Sequence, residues 1–232
     1  MLYLCKSNTM KKQLLLVFIL SVFALPLYSN KFLAPIGGLE EKVAYLSEKL
    51  NINNEAFRLA IKGFEKLKGL GRINNLRYLT IADFSKPSTE ERLYVIDMML
   101  EQVVIQTLVA HGKNSGTLFA NLFSNKNASH QSSLGFYVTG YPYKGKHGNS
   151  LELNGVEEGI NDQAKNRAIV IHGADYVSTS FIKQQGYIGR SQGCPAVPNN
   201  KVASIIEAIQ GASCMFIYAP DKDYLKKSIL SR

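Results

Sequence analysis

Two short segments hold the residue types able to do covalent chemistry. The first is Ile169-Val170-Ile171-His172-Gly173-Ala174, a histidine at the end of an apolar run, followed at once by glycine. The second is Gly189-Arg190-Ser191-Gln192-Gly193-Cys194-Pro195-Ala196-Val197-Pro198, a cysteine in a Gly- and Pro-bounded loop ahead of a helical pattern. A thiol becomes a useful nucleophile near neutral pH only beside a base or in a positive potential. His172, from a neighbouring strand end, can supply the base. Arg190 and backbone N–H groups can supply the potential. Gly193 has no Cβ, so a substrate carbonyl can approach the amides of Gly193 and Cys194, which are then placed to hold a tetrahedral oxyanion. A plainer reading stands beside this one: a lone cysteine is often a small buried hydrophobe, and a lone histidine a satisfied core residue.

The elements that carry these residues follow from the spacing of apolar side chains. Val43, Leu46 and Leu50 recur at helical intervals. A second helix is predicted over Asn54–Lys68, with Phe57, Ala60, Ile61, Phe64 and Leu67 on one face, Asn53 or Asn54 as its cap and Gly69 at its end. After Asn75 the texture turns to strands: Tyr78–Ala82, Arg92–Ile96, Gln102–Ala110, Leu134–Tyr141, Ala168–Ile171 and Ala212–Tyr218. Ser85-Lys86-Pro87-Ser88 separates the first two as a turn. Helical periodicity returns at Val202–Ile209, where Asn199 or Asn200 is the candidate cap. Many short strands with few helices predict an α+β chain, mostly β, built as a sandwich or barrel with a short N-terminal helical segment.

Composition bounds the class. The 232 residues are 46% hydrophobic and 19% charged, which excludes an intrinsically disordered chain. With 18 Gly and 7 Pro it is no collagen, and 3 Cys are too few for a disulfide scaffold. The net charge is +9, but Lys6, Lys11 and Lys12 fall in the first 29 residues, which hold no acid, and the remainder carries +6. The lysines are dispersed without interleaved aromatics, so nucleic-acid binding is not expected.

Lys11 and Lys12 precede the apolar run Leu14–Leu25, which Pro26 breaks; Ser29 is a small residue suited to the end of a signal. A short cationic stretch followed by about a dozen apolar residues is a secretory signal pattern, shorter than the roughly 20 that span a bilayer. The expected organisation is a signal peptide at 1–29, a helical segment at 30–75, a catalytic domain at 76–220 and a polar, peripheral tail at 221–232. Phe32–Gly38 reads as a linker. The expected location is outside the cytoplasm, in a periplasm or cell envelope, with the membrane met only transiently through the signal.

The chemistry-bearing residues resemble the YkuD-type L,D-transpeptidases, and within them the murein L,D-transpeptidase catalytic domain subfamily with a Gly-Cys-Pro motif. His172-Gly173 matches the first half of the family motif, and Ser191-Gln192-Gly193-Cys194 the second, with Gln192 where the usual pattern has another histidine. His111-Gly112-Lys113-Asn114-Ser115-Gly116, Phe123-Ser124-Asn125, Ser132-Ser133-Leu134-Gly135-Phe136-Tyr137, Arg167 and Tyr176 extend the likeness. The resemblance implies a Cys194 thiolate that attacks a carbonyl in a peptidoglycan stem peptide, with His172 as base oriented by the Gly173 carbonyl. An amine acceptor then gives a cross-link, and water gives L,D-carboxypeptidase activity. Arg190 stands in for the positive group that often follows the cysteine. The stem peptides, donor and acceptor, are the implied partners, and no cofactor or metal is implied. Arg190, Ser191, Gln192, His111, Ser133, Tyr137 and Tyr176 are the candidate substrate contacts.

Other readings remain open on residues alone. His130 and His147 lie in polar loops and read as solvated. Cys214 lies in the apolar run Cys214-Met215-Phe216-Ile217-Tyr218 and reads as a buried strand residue. A Cys194–Cys214 disulfide would block the nucleophile. A zinc hydrolase using His111, His172 and Cys194 lacks any paired ligand spacing. A catalytically silent wall-binding module and a stem-trimming hydrolase complete the alternatives.

Overall fold

The computed structural model describes residues 39–232. The run read as an export signal and the linker before Leu39 lie outside these residues. Among the described residues no helix is long and apolar enough to cross a membrane. In chain order the elements are α1 (Leu39–Lys49), α2 (Asn54–Gly69), β1 (Asn75–Asp83), β2 (Leu93–Asp97), β3 (Gln102–Thr107), β4 (Gly135–Gly145), β5 (Gly148–Gly155), β6 (Val170–Gly173), α3 (Thr179–Gln185), β7 (Ala196–Val197), α4 (Asn199–Ile209), β8 (Ser213–Tyr218) and α5 (Lys222–Lys227).

The strands form one mostly antiparallel sheet in the order β3-β2-β1-β8-β4-β5-β6-β7, with β1/β8 and β6/β7 parallel. Beyond β3 the chain bridges back to the far edge, Ala110 to Ala196 and Gly112 to Ser191. The two edges therefore meet, and the sheet nearly closes into a barrel, which removes most of its exposed edge. All of β8 is buried, which is why its sequence reads as a continuous apolar run.

The N-terminal helices share the core of the sheet. Val43 and Leu46 of α1 and Phe57, Phe64 and Leu67 of α2 join Leu79, Ile81, Phe136 and Phe216 in one apolar cluster. Each such large side chain contributes about 2 kcal/mol by leaving water. Asn53 caps α2, its Oδ1 accepting the Ala56 N–H at 3.1 Å. Gly63 has no room for a side chain because the Phe136 ring lies against the helix there. That ring stacks in turn on Phe216, centroids 4.3 Å apart.

Three expectations need correction. First, the tail is not peripheral. It forms α5, buries Tyr224 and Leu230, and places Ser228 and Tyr224 on the buried carboxylate of Glu157. Its two anchoring side chains are too few among lysines and aspartates to raise a signal. Second, neither asparagine caps α4: Pro198 holds the cap position without a side-chain bond, and Asn199 Nδ2 donates to Asp175 at 2.5 Å. Third, β5, β7, α3 and α5 had no counterpart in the sequence reading. In β5 only Leu151 and Leu153 face the core. Its other face carries Ser150 and Glu152, which the register sets beside His172 and Val170.

Candidate active site

His172 is the third of the four residues of β6, and its register partners are Ser150 in β5 and Ala196 in β7. The residue is 3% exposed. Its Nδ1 lies 2.9 Å from the Gly173 carbonyl. A carbonyl only accepts, so Nδ1 carries the proton and Nε2 keeps its lone pair. Burial lowers the imidazole pKa; the Gly173 carbonyl works against this and His147 adds to it. The ring is therefore a neutral base at pH 7.

Cys194 lies two residues ahead of Ala196, as Val170 lies two residues ahead of His172. The pairing of β6 with β7 thus sets the loop that carries Cys194 alongside the strand that carries His172. The half-buried sulfur sits 3.7 Å from the Ala168 carbonyl, and its hydrogen bond goes there, not to the imidazole. Burial raises the thiol pKa, while the Val170 N–H, the Arg167 guanidinium and the Cys194 N–H pull it back down. The resting pair is a neutral thiol beside a neutral imidazole, so a base must take the proton as sulfur attacks.

Serine hydroxyls and one arginine shape the cysteine loop. Ser191 Oγ donates to the Cys194 carbonyl at 2.6 Å and accepts the Gly193 N–H at 3.0 Å. The Gly193 amide is thus already engaged, which corrects its assignment to an oxyanion site. Gly193 is glycine for another reason. Its φ is +124°, and a Cβ would meet the Gln131 carbonyl at 2.9 Å and Arg167 Nη2 at 3.1 Å. Gly173 is equally closed to a side chain, which would strike Asn199. Ser132 Oγ donates to the Gly193 carbonyl at 3.2 Å and accepts the Gly112 N–H at 3.0 Å. Arg167 donates from Nη1 to the Ser124 carbonyl and Ser133 Oγ, at 2.7 and 2.6 Å, and from Nη2 to the Gln131 carbonyl at 2.5 Å.

Several candidate contacts move out of a substrate's reach. His111 is fully buried, with Nδ1 accepting from Arg92 Nη2 at 2.8 Å and Nε2 donating to the Gly116 carbonyl at 3.2 Å. Burial first, and then Arg92, lowers its pKa to about 4. Both of its nitrogens are occupied, so it makes no ligand set with His172 and Cys194. Among the described residues no group of three or more His, Cys, Asp or Glu converges as a metal site. Ser133 and Tyr137 are buried, the tyrosine donating to the Ser133 carbonyl at 3.0 Å. Ser191 is buried too.

Arg190 donates to the Gly116 carbonyl at 3.1 Å and lies over the Tyr187 ring, while the charge that acts on Cys194 belongs to Arg167. Gln192 is exposed and Tyr176 half-buried, so these two remain at the surface of the site. Burial and then Cys194 push the Tyr176 phenol up to about 12. Cys214 is a free thiol buried in β8, and Cys194 is free as well.

The sequence singles out Arg167 only through the family likeness, with no role in the site, and His147 only as a solvated loop residue; His147 is indeed exposed in a turn, but its solvated side is not its only one. The His147 ring in fact stacks on His172, centroids 4.5 Å apart and planes at 27°. Arg167 stands three residues ahead of β6, the strand that carries His172.

Solved structures similar to this chain include three from bacteria. An L,D-transpeptidase of Xylanimonas cellulosilytica is 14% identical with a TM-score of 0.39, the match covering 61% of this chain and 60% of that one. The helical cell shape determining protein of Campylobacter jejuni is 14% identical with a TM-score of 0.40, covering 66% and 53%. An L,D-transpeptidase of Stackebrandtia nassauensis is 10% identical with a TM-score of 0.37, covering 78% of each. The chain thus spans less than two thirds of the first two. No curated protein matches the sequence. The family model described as the L,D-transpeptidase catalytic domain matches residues 48–218, well over half of the chain and both halves of the site, and the chain belongs to that family.

Proposed function

We propose that the protein is an exported cysteine L,D-transpeptidase acting on peptidoglycan stem peptides. The observation that carries the reading is Cys194 in the loop that leads into β7, the strand paired with the β6 of His172, whose Nδ1 is fixed on the Gly173 carbonyl while Nε2 stays free for a proton. Arg167 supplies the positive potential at the sulfur.

The chemistry runs in two transfers. Cys194 gives its proton to His172 Nε2 as the sulfur attacks the carbonyl carbon of an L-centre in the donor stem. The tetrahedral oxyanion collapses, the peptide C–N bond breaks, and His172 returns the proton to the leaving D-amino acid. A thioester remains on Cys194. An acceptor amine attacks it, passes a proton to His172, and expels the thiol as the new amide forms. Water in place of the amine yields a shortened stem. The apolar run at 14–25 supports export to a periplasm or cell envelope, the compartment of such a substrate.

Mass spectrometry of purified muropeptides, incubated with the mature protein and with Cys194→Ala, tests the reading. Cross-linked dimers or exchanged terminal D-amino acids with the parent alone support it. Shortened stems alone replace it with an L,D-carboxypeptidase. Muropeptides untouched by both proteins overturn it.

A further inference from the structure

We propose that His147 is a positioning residue for His172, holding the plane of its ring from the tip of the β4–β5 hairpin. The inference rests on the Cys194–His172 reading above and names a residue which that reading does not use.

The strands β4 and β5 are joined by a two-residue turn, Lys146-His147, closed by the pair Gly145 and Gly148. Gly148 has φ +75°, a conformation that glycine adopts without strain. Ser150 is the register partner of His172, so the two β5 residues before it, Gly148 and Asn149, bring the turn to the end of β6. The tip folds there, and His147 lays its ring on the imidazole with centroids 4.5 Å apart and planes 27° from parallel. His147 is itself exposed on its outer side.

The hydrogen bond from Nδ1 to the Gly173 carbonyl fixes one edge of the His172 ring. It leaves the ring free to rock about that edge. A flat neighbour in stacking contact removes this freedom, as offset aromatic pairs do. Nε2 then points in one direction, which a proton transfer within hydrogen-bond reach requires. The contact depends on the flatness of the ring, so phenylalanine should replace histidine where alanine cannot.

The test compares the parent with His147→Ala, His147→Phe, His172→Ala and Cys194→Ala. Two readouts are independent of any peptidoglycan activity: the rate at which iodoacetamide alkylates Cys194, and the ring ¹⁵N resonances of His172. Thermal melting checks that each variant folds. The expected result is a loss of about two- to tenfold in alkylation rate with His147→Ala, the range of one aromatic contact. His172 signals should shift from a single tautomer toward an average. His147→Phe should restore both. In turnover, where muropeptides react, kcat should fall with little change in KM.

Parental His172 resonances in His147→Ala overturn the proposal. So does a His147→Phe protein as impaired as His147→Ala. If His172→Ala alkylates at the parental rate, the base assignment of the functional reading falls, and the ¹⁵N signals still decide the positioning. If the parent leaves muropeptides untouched while both readouts move with His147, the substrate is wrong and the pairing of the two rings holds.

Discussion

At the scale of single residues, the thiol is poised between opposing forces. Burial of Cys194 favours the neutral form, and Arg167 with two backbone N–H groups favours the thiolate. Burial wins, so alkylation of Cys194 should rise with pH through a midpoint above that of an ordinary thiol. Arg167→Ala removes the one side-chain charge that opposes burial. It should move that midpoint further up and slow alkylation at neutral pH by about three- to tenfold. Arg167→Lys keeps the charge but loses the fork that reaches Ser124, Ser133 and Gln131 at once, and should fall between. Equal rates in all three proteins would remove Arg167 from the site. Cys194 and His172 were legible in the sequence because each stands in a Gly-framed segment whose residue types suit one chemistry. The family likeness picks out Arg167, but its role was not legible, because its partners lie 34 to 43 residues away along the chain and meet it only after folding.

At the scale of elements, the site depends on a seam between the segment after β3 and the one ahead of β7. Ala110 pairs with Ala196, the Ser191 N–H reaches the His111 carbonyl at 3.0 Å, and the Lys113 N–H reaches the Ser191 carbonyl at 2.8 Å. His111 therefore supports the cysteine loop through its backbone, while its ring is locked between Arg92 and Gly116. An exposed histidine in the unfolded chain takes a proton near 6.5, whereas this ring resists until about 4. Between those values the unfolded state binds more protons, so stability present above the upper value is lost as pH falls. The loss is on the order of 3 kcal/mol for this group. Urea melts at pH 7, 5.5 and 4.5 should show the decline in the parent and a shallower one in His111→Gln, whose amide can meet both partners without titrating. Matching slopes would mean that His111 does not carry the acid sensitivity. The strands with one clear apolar face were readable from spacing. The short β7 was not, because two residues carry no period, and β5 was not, because its site face is polar.

At the scale of the whole molecule, residues 221–232 are tied to the centre of the sheet. Glu157, 4% exposed, accepts the Phe136 N–H at 2.8 Å, the Tyr224 hydroxyl at 3.3 Å and the Ser228 hydroxyl. Phe136 belongs to β4 and Tyr224 to α5, so one carboxyl joins a central strand to the tail. Burial raises its pKa, and the three donors oppose this without prevailing. The sign follows: the stability from Glu157 is complete below the ordinary carboxylate pKa and declines as pH rises through the folded value. Glu157→Gln should remove that decline while keeping most of the bonds. Glu157→Ala strands a buried N–H and two hydroxyls and opens a void, costing about 2–3 kcal/mol, or about 4–12 °C in Tm. Deleting residues 221–232 should do at least as much and speed hydrogen exchange along residues 135–138 and 214–217, which pair directly as β4 and β8. Melting curves of the three variants across pH 5 to 8 provide the check. A truncated protein that melts with the parent would return the tail to the peripheral role its composition suggested. A Glu157→Gln protein with the parent's pH slope would mean that the carboxyl is ionised in the fold, its three donors outweighing burial.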